Sequence, residues 1–121
     1  MIEMALTRSF KDTVQARAQR DAAFREALLA EGVDAFLAGD VDTGKAVLRD
    51  YINATIGFDE LAVATGTPSK SLMRMFSRTG NPNARNLFSV LGELQKQSGI
   101  HLHAQSIRGN VGTHTRLIPS P

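Results

Sequence analysis

The chain has 121 residues, is 42% hydrophobic and 21% charged, and carries a formal net charge of +2. That balance belongs to an ordinary globular protein with material for one core. The absence of cysteine excludes a disulfide framework, a thiolate metal site and a cysteine nucleophile. Residues 1–57 hold nine acids and seven bases, whereas residues 58–121 hold three acids and seven bases, so the second half is the candidate for meeting a polyanion.

The opening Met1-Ile2-Glu3-Met4-Ala5-Leu6-Thr7-Arg8 has no basic patch followed by a long apolar run, and no window approaches the roughly 18 apolar residues of a membrane span. A cytoplasmic location without membrane contact is expected. Leu6, Phe10, Val14 and Ala18 recur every four residues and predict a first amphipathic helix, with Thr7 as its cap. Asp21 is placed to cap a second helix with an apolar stripe of Phe24, Ala27, Leu28, Ala35 and Phe36, interrupted at Gly32 and ended at Gly39. After Asp42-Thr43, the residues Val47, Leu48, Tyr51, Ile52 and Thr55 form one buried face, and Gly57 stops it. Phe58-Asp59-Glu60 opens a short helix with two acids in its first turn, where the helix dipole favours them, and Gly66 ends it.

Thr67-Pro68 restarts the chain as cap and first helical position. The next helix carries Leu72, Met75 and Phe76 on one side and Lys70, Ser71 and Arg74 on another. Ser77-Arg78-Thr79-Gly80-Asn81-Pro82 is a loop by composition. A last helix, from about Asn83 to Ser98, buries Leu87, Val90, Leu91 and Leu94, and Gly99 closes it. Ile100, Leu102 and Ala104 alternate with His101, His103 and Gln105 in a strand period, before a loose tail. The expected fold is therefore all-α, with five or six helices and a short C-terminal strand or tail. The regions divide as 1–43 (N-terminal helices), 44–98 (the central helical domain) and 99–121 (strand and tail).

Two short helices joined at a Gly-containing break, 58–66 and 68–77, make a helix-turn-helix. Ala62 allows a close crossing, Leu61 and Leu72 fill the angle, and Gly66 takes the positive φ of the reversal. The N-terminal end of the second helix can face phosphate. Thr67, Ser69, Lys70, Ser71 and Arg74 are the candidate DNA-binding residues there, since lysine and arginine donate to guanine and serine donates or accepts. Arg78 and Arg85 flank the following loop as candidate phosphate contacts.

Leu61-Ala62-x-x-x-Gly66-x-x-x-x-x-Leu72 resembles the lambda-repressor-like (phage-repressor) helix-turn-helix. The extension Ser69-Lys70-Ser71-Leu72-Met73-Arg74-Met75-Phe76-Ser77, followed by Gly80-Asn81-Pro82 and a Leu-rich helix, resembles the addiction-module antidote proteins over residues 44–98. The resemblance implies a DNA-binding antitoxin that represses its own operon and binds a ribonuclease-type toxin. Toxin binding would sit on the N-terminal helices or be lacking. One short recognition helix covers about 600–1,000 Å² of DNA, so a homodimer on a palindromic operator is expected, with recognition helices about 34 Å apart. The helix of Leu87, Leu91 and Leu94, or the 100–104 strand, is the candidate dimer surface. The alternatives are a stand-alone regulator and a toxin-binding module with little DNA affinity.

Other patterns are weaker. Gly39-Asp40-Val41-Asp42-Thr43-Gly44-Lys45-Ala46 nearly spells a phosphate loop, but Ala46 has no hydroxyl for magnesium and two aspartates would repel phosphate, so an acidic interhelical turn is expected. The same letters do not complete a calcium loop. His101 and His103 share a face without a third ligand, so no metal is expected. Phe10, Phe24, Phe36, Tyr51, Phe58, Phe76 and Phe88 fall mostly on apolar faces and read as core. No catalytic set converges in the sequence, so neither an enzyme nor a cofactor is expected.

Overall fold

The computed structural model describes residues 13–108, and every regular element among them is helical. Residues 13–20 form a helical segment, α1. It is followed by α2 (Ala22–Leu37), α3 (Val41–Ala54), α4 (Phe58–Thr65), α5 (Ser69–Met75) and α6 (Ala84–Ser98). The expected cap at Thr7 and the tail beyond Arg108 lie outside the described residues.

A single residue separates α1 from α2, and both helix ends meeting there are satisfied. Asp21 has extended backbone and its carboxylate accepts from the Phe24 N–H at 3.1 Å. Arg25 Nη1 donates to the Ala18 carbonyl at 2.8 Å and to that of Gln19 at 3.2 Å, closing the end of α1. Arg17 stacks its guanidinium over the Phe24 ring at 4.5 Å and pairs with Asp21 at 3.5 Å.

The second helix does not break at Gly32. It runs through, and Gly32 is buried where a Cβ would lie 3.0 Å from Leu48 Cδ2. The missing side chain lets α3 approach, and that packing outweighs glycine's poor helix propensity. Gly39, with φ +83°, turns the chain, and the Asp40 carboxylate caps α3 by accepting from the Thr43 N–H at 3.2 Å.

One core runs the length of the described chain. Leu29, Leu48, Tyr51, Ile52, Leu61, Leu72, Phe76, Val90 and Leu94 are fully buried within it. The division expected at 43/44 falls inside α3, whose buried face joins residues from both sides. The aromatics are core apart from Phe88, which is 66% exposed, and Phe10, which lies outside the described residues. Phe88 stands one step round α6 from the buried Val90-Leu91-Leu94 stripe.

The strand expected at 100–104 is not formed. The alternation holds for Ile100 and Leu102, which pack on the core while His101 and His103 are exposed, but it stops there, since Ala104 is exposed too. However, no second strand is present to pair with it among the described residues. The Leu102 N–H instead donates to Gln95 Oε1 at 2.9 Å, so the extended chain is docked on α6 by a side chain.

The Asp21 cap carries a pH signature. The Phe24 N–H bond holds its carboxyl below the usual value, desolvation opposes the shift, and Arg17 adds to it. A carboxyl lowered on folding stabilises fully above its unfolded pKa and loses that contribution as pH falls through the folded value. Asp21→Ala is expected to lower the thermal midpoint at neutral pH, and the gap from wild type is expected to close in acid below the ordinary aspartate range. Circular-dichroism melts across a pH series measure it.

Candidate nucleic-acid interface

The α4–α5 pair is built from three local features. First, α4 starts with Asp59 and Glu60 beside its unpaired N–H groups. Second, it ends on Gly66 in the left-handed region at φ +73°, which glycine adopts without strain, and the Gly66 N–H closes on the Ala62 carbonyl at 2.9 Å. Third, Leu61 and Leu72 are 0% and 1% exposed and lock the two helices on the core, while the Phe58 and Phe76 rings meet at 6.4 Å.

The start of α5 differs from the sequence expectation by one position. Pro68, not Thr67, is the N-cap, and no side chain caps that end. The Thr67 N–H donates to Thr65 Oγ1 at 3.4 Å, and Thr67 itself is half-buried. The Ser69 hydroxyl donates to Asp59 Oδ1 at 3.0 Å. A carboxylate therefore stands beside the α5 N-terminus and opposes a phosphate there.

Lys70 and Arg74 are both exposed and lie one turn apart on the side of α5 away from buried Leu72 and Phe76. Ser71 is half-buried beside them. Arg78 is exposed in the turn after α5, and Arg85 is exposed in the first turn of α6. None of these four cations is within ion-pairing distance of a carboxylate among the described residues. Lys70 and Arg85 sit in first turns, where the helix dipole disfavours a cation.

No family model, curated protein or solved structure matches the chain.

Two residues the sequence reading did not place among the site residues hold this region in shape. Lys45 is only 3% exposed, and its ammonium donates to the carbonyl oxygens of Arg78, at 3.2 Å, and Gly80. Arg49, one turn further along α3, donates from Nη1 to the Phe76 carbonyl at 2.7 Å. These cations satisfy main-chain oxygens at the end of α5 and in the turn beyond it, where the helix dipole is negative. The signal was present: Lys45, Leu48 and Ile52 lie at i, i+3 and i+7, which puts a lysine on the buried stripe.

The same contacts dispose of the phosphate-loop resemblance. Only Gly39 and Asp40 of that stretch lie in the turn; the rest is α3. Gly44 is under the Phe36 ring, and the Lys45 ammonium is spent on carbonyl oxygens. His101 and His103 are exposed, and no group of three metal-ligating side chains occurs among the described residues.

The turn after α5 closes on itself as well. Ser77 Oγ donates to the Arg74 carbonyl at 2.7 Å and accepts from the Gly80 N–H at 3.2 Å. A Cβ on Gly80 would lie 1.7 Å from that same Arg74 oxygen, so only glycine fits. Asn83, the residue after Gly80-Asn81-Pro82, caps α6 by accepting from the Asn86 N–H at 2.8 Å.

Lys45→Met keeps most of the buried stem and removes the ammonium, leaving two carbonyls without their donor. A loss of about 2–3 kcal/mol in unfolding free energy is expected from the charge-assisted bonds. Urea denaturation measures it.

Proposed function

We propose that the chain binds double-stranded operator DNA as a dimer, through a phage-repressor-like helix-turn-helix formed by α4 and α5, and serves as an autorepressing antitoxin. The observation that carries the DNA part is the outward side of α5. There Lys70 and Arg74 stand exposed, in no ion pair with a carboxylate among the described residues, on a helix whose other side is anchored by Leu72 and Phe76. Lysine and arginine on a rigid helix are the donors that guanine O6 and N7 accept in the major groove.

The supporting cations add to this reading. Arg78 and Arg85 extend the positive side chains to the turn and to the next helix, where they would hold phosphates and set register. Two of the four cations oppose a helix dipole, a local cost that function explains and folding does not. Ser69 and Thr67 are the weaker contacts, since Asp59 accepts the Ser69 hydroxyl and Thr67 is half-buried. Dimerisation follows from scale: α5 has seven residues, and one such helix buries too little of a duplex for selective occupancy.

The toxin-neutralising part rests on the resemblance of Ser69–Pro82 to the antidote proteins; the close approach of Gly80 to the Arg74 oxygen gives the glycine of that motif a physical reason.

Footprinting on the DNA upstream of the chain's own reading frame tests the repressor role. Protection of two half-sites about one helical turn apart is expected. Its loss as salt rises, with a log–log slope of about −0.9 per phosphate neutralised, marks the electrostatic component. Arg74→Ala is expected to weaken binding by about 1–3 kcal/mol and to relax one base pair of each half-site. No retention of that DNA even at low salt overturns the repressor reading. Co-purification with the product of an adjoining small ribonuclease-like frame tests the antitoxin reading separately.

A further inference from the structure

Met73 is the apolar residue on α5 that the core does not take. Leu72 and Phe76 are buried and Met75 is packed against the core, yet Met73 is 47% exposed. On a helix it lies three residues from Lys70 and next to Arg74, at the edge of the cationic face. Its other side borders a cleft of about 350 Å³ shared with Arg49, Asn53, Phe58 and Asp59.

The surroundings constrain what can meet that thioether. The Asp59 carboxylate borders the same cleft and repels a phosphate oxygen. The Arg49 guanidinium is directed to the Phe76 carbonyl. An apolar group is therefore favoured at Met73. The major groove offers one such group, the 5-methyl of thymine, beside the acceptor atoms that Lys70 and Arg74 suit.

We propose that Met73 is a specificity-determining residue: its thioether covers a thymine 5-methyl next to the base or bases contacted by Lys70 and Arg74. The proposal rests on the DNA-binding reading above and adds to it the base that this part of the helix selects. Thymine is chosen by methyl burial, without a hydrogen bond from Met73.

The test uses the full chain and duplexes enriched by it from a randomised library. In an enriched duplex, each thymidine is replaced singly by deoxyuridine, which removes the methyl and keeps every hydrogen-bonding atom. Wild type is expected to lose about fourfold in affinity at one thymine of each half-site, the worth of one buried methyl group. Met73→Ala is expected to bind the thymidine and deoxyuridine duplexes equally there, and Met73→Leu to retain the discrimination. Fluorescence anisotropy reads all three, and the exposed position keeps the variants folded.

Wild type insensitive at every thymine, or Met73→Ala with the wild-type ratio, overturns the role of Met73 and leaves the DNA-binding reading standing. Salt-sensitive binding without any enriched sequence does the same. No binding to any duplex at low salt overturns both.

Discussion

A buried ammonium is the constraint on which the region around α5 depends. Lys45 reaches from α3 to carbonyl oxygens more than thirty residues away in sequence, and Arg49 adds a third oxygen one turn along. Burying a lysine is unfavourable unless its donors are used, and here the ammonium donates to the carbonyl oxygens of Arg78 and Gly80. Asp42 approaches at 3.8 Å but is 92% exposed, so the carbonyls and not the carboxylate are the main counterpart. The result is a helix end held by its backbone.

That support explains how a helix of seven residues is presented as a rigid element. So short a helix has little stability of its own. Leu72 and Phe76 fix one side of it, Gly66 fixes its approach from α4, and the α3 cations fix its exit. What remains is an outward side with Lys70, Met73 and Arg74, whose side chains make no hydrogen bond or ion pair among the described residues. Side chains with no role in the fold are the natural candidates for recognition.

Much of this was legible in the chain itself. Helical periodicity located Leu48, Tyr51 and Ile52 of α3 and Val90, Leu91 and Leu94 of α6, but it also put Thr55, which is the exposed C-cap of α3, on the buried face and missed Gly44, Lys45 and Ala54. Asp21, Gly66 and Gly99 marked helix boundaries through ordinary cap chemistry. The failures share a cause, which is tertiary contact. Gly32 reads as a break because propensity is local, while its use is to admit Leu48. The 100–104 alternation reads as a strand because periodicity does not reveal whether a neighbour exists to pair with. At the candidate site, exposure of Lys70 and Arg74 followed from the helical stripe, whereas the Ser69–Asp59 bond and the carbonyl contacts of Lys45 needed three dimensions.

The grip on the segment after α5 is applied through the main-chain oxygens of Phe76, Arg78 and Gly80. The side chains of Arg78, Thr79 and Asn81 take no part in it and point to solvent. Those outward positions can therefore change one at a time without loosening the frame beneath, whereas a substitution of Gly80 or Lys45 strikes the frame itself.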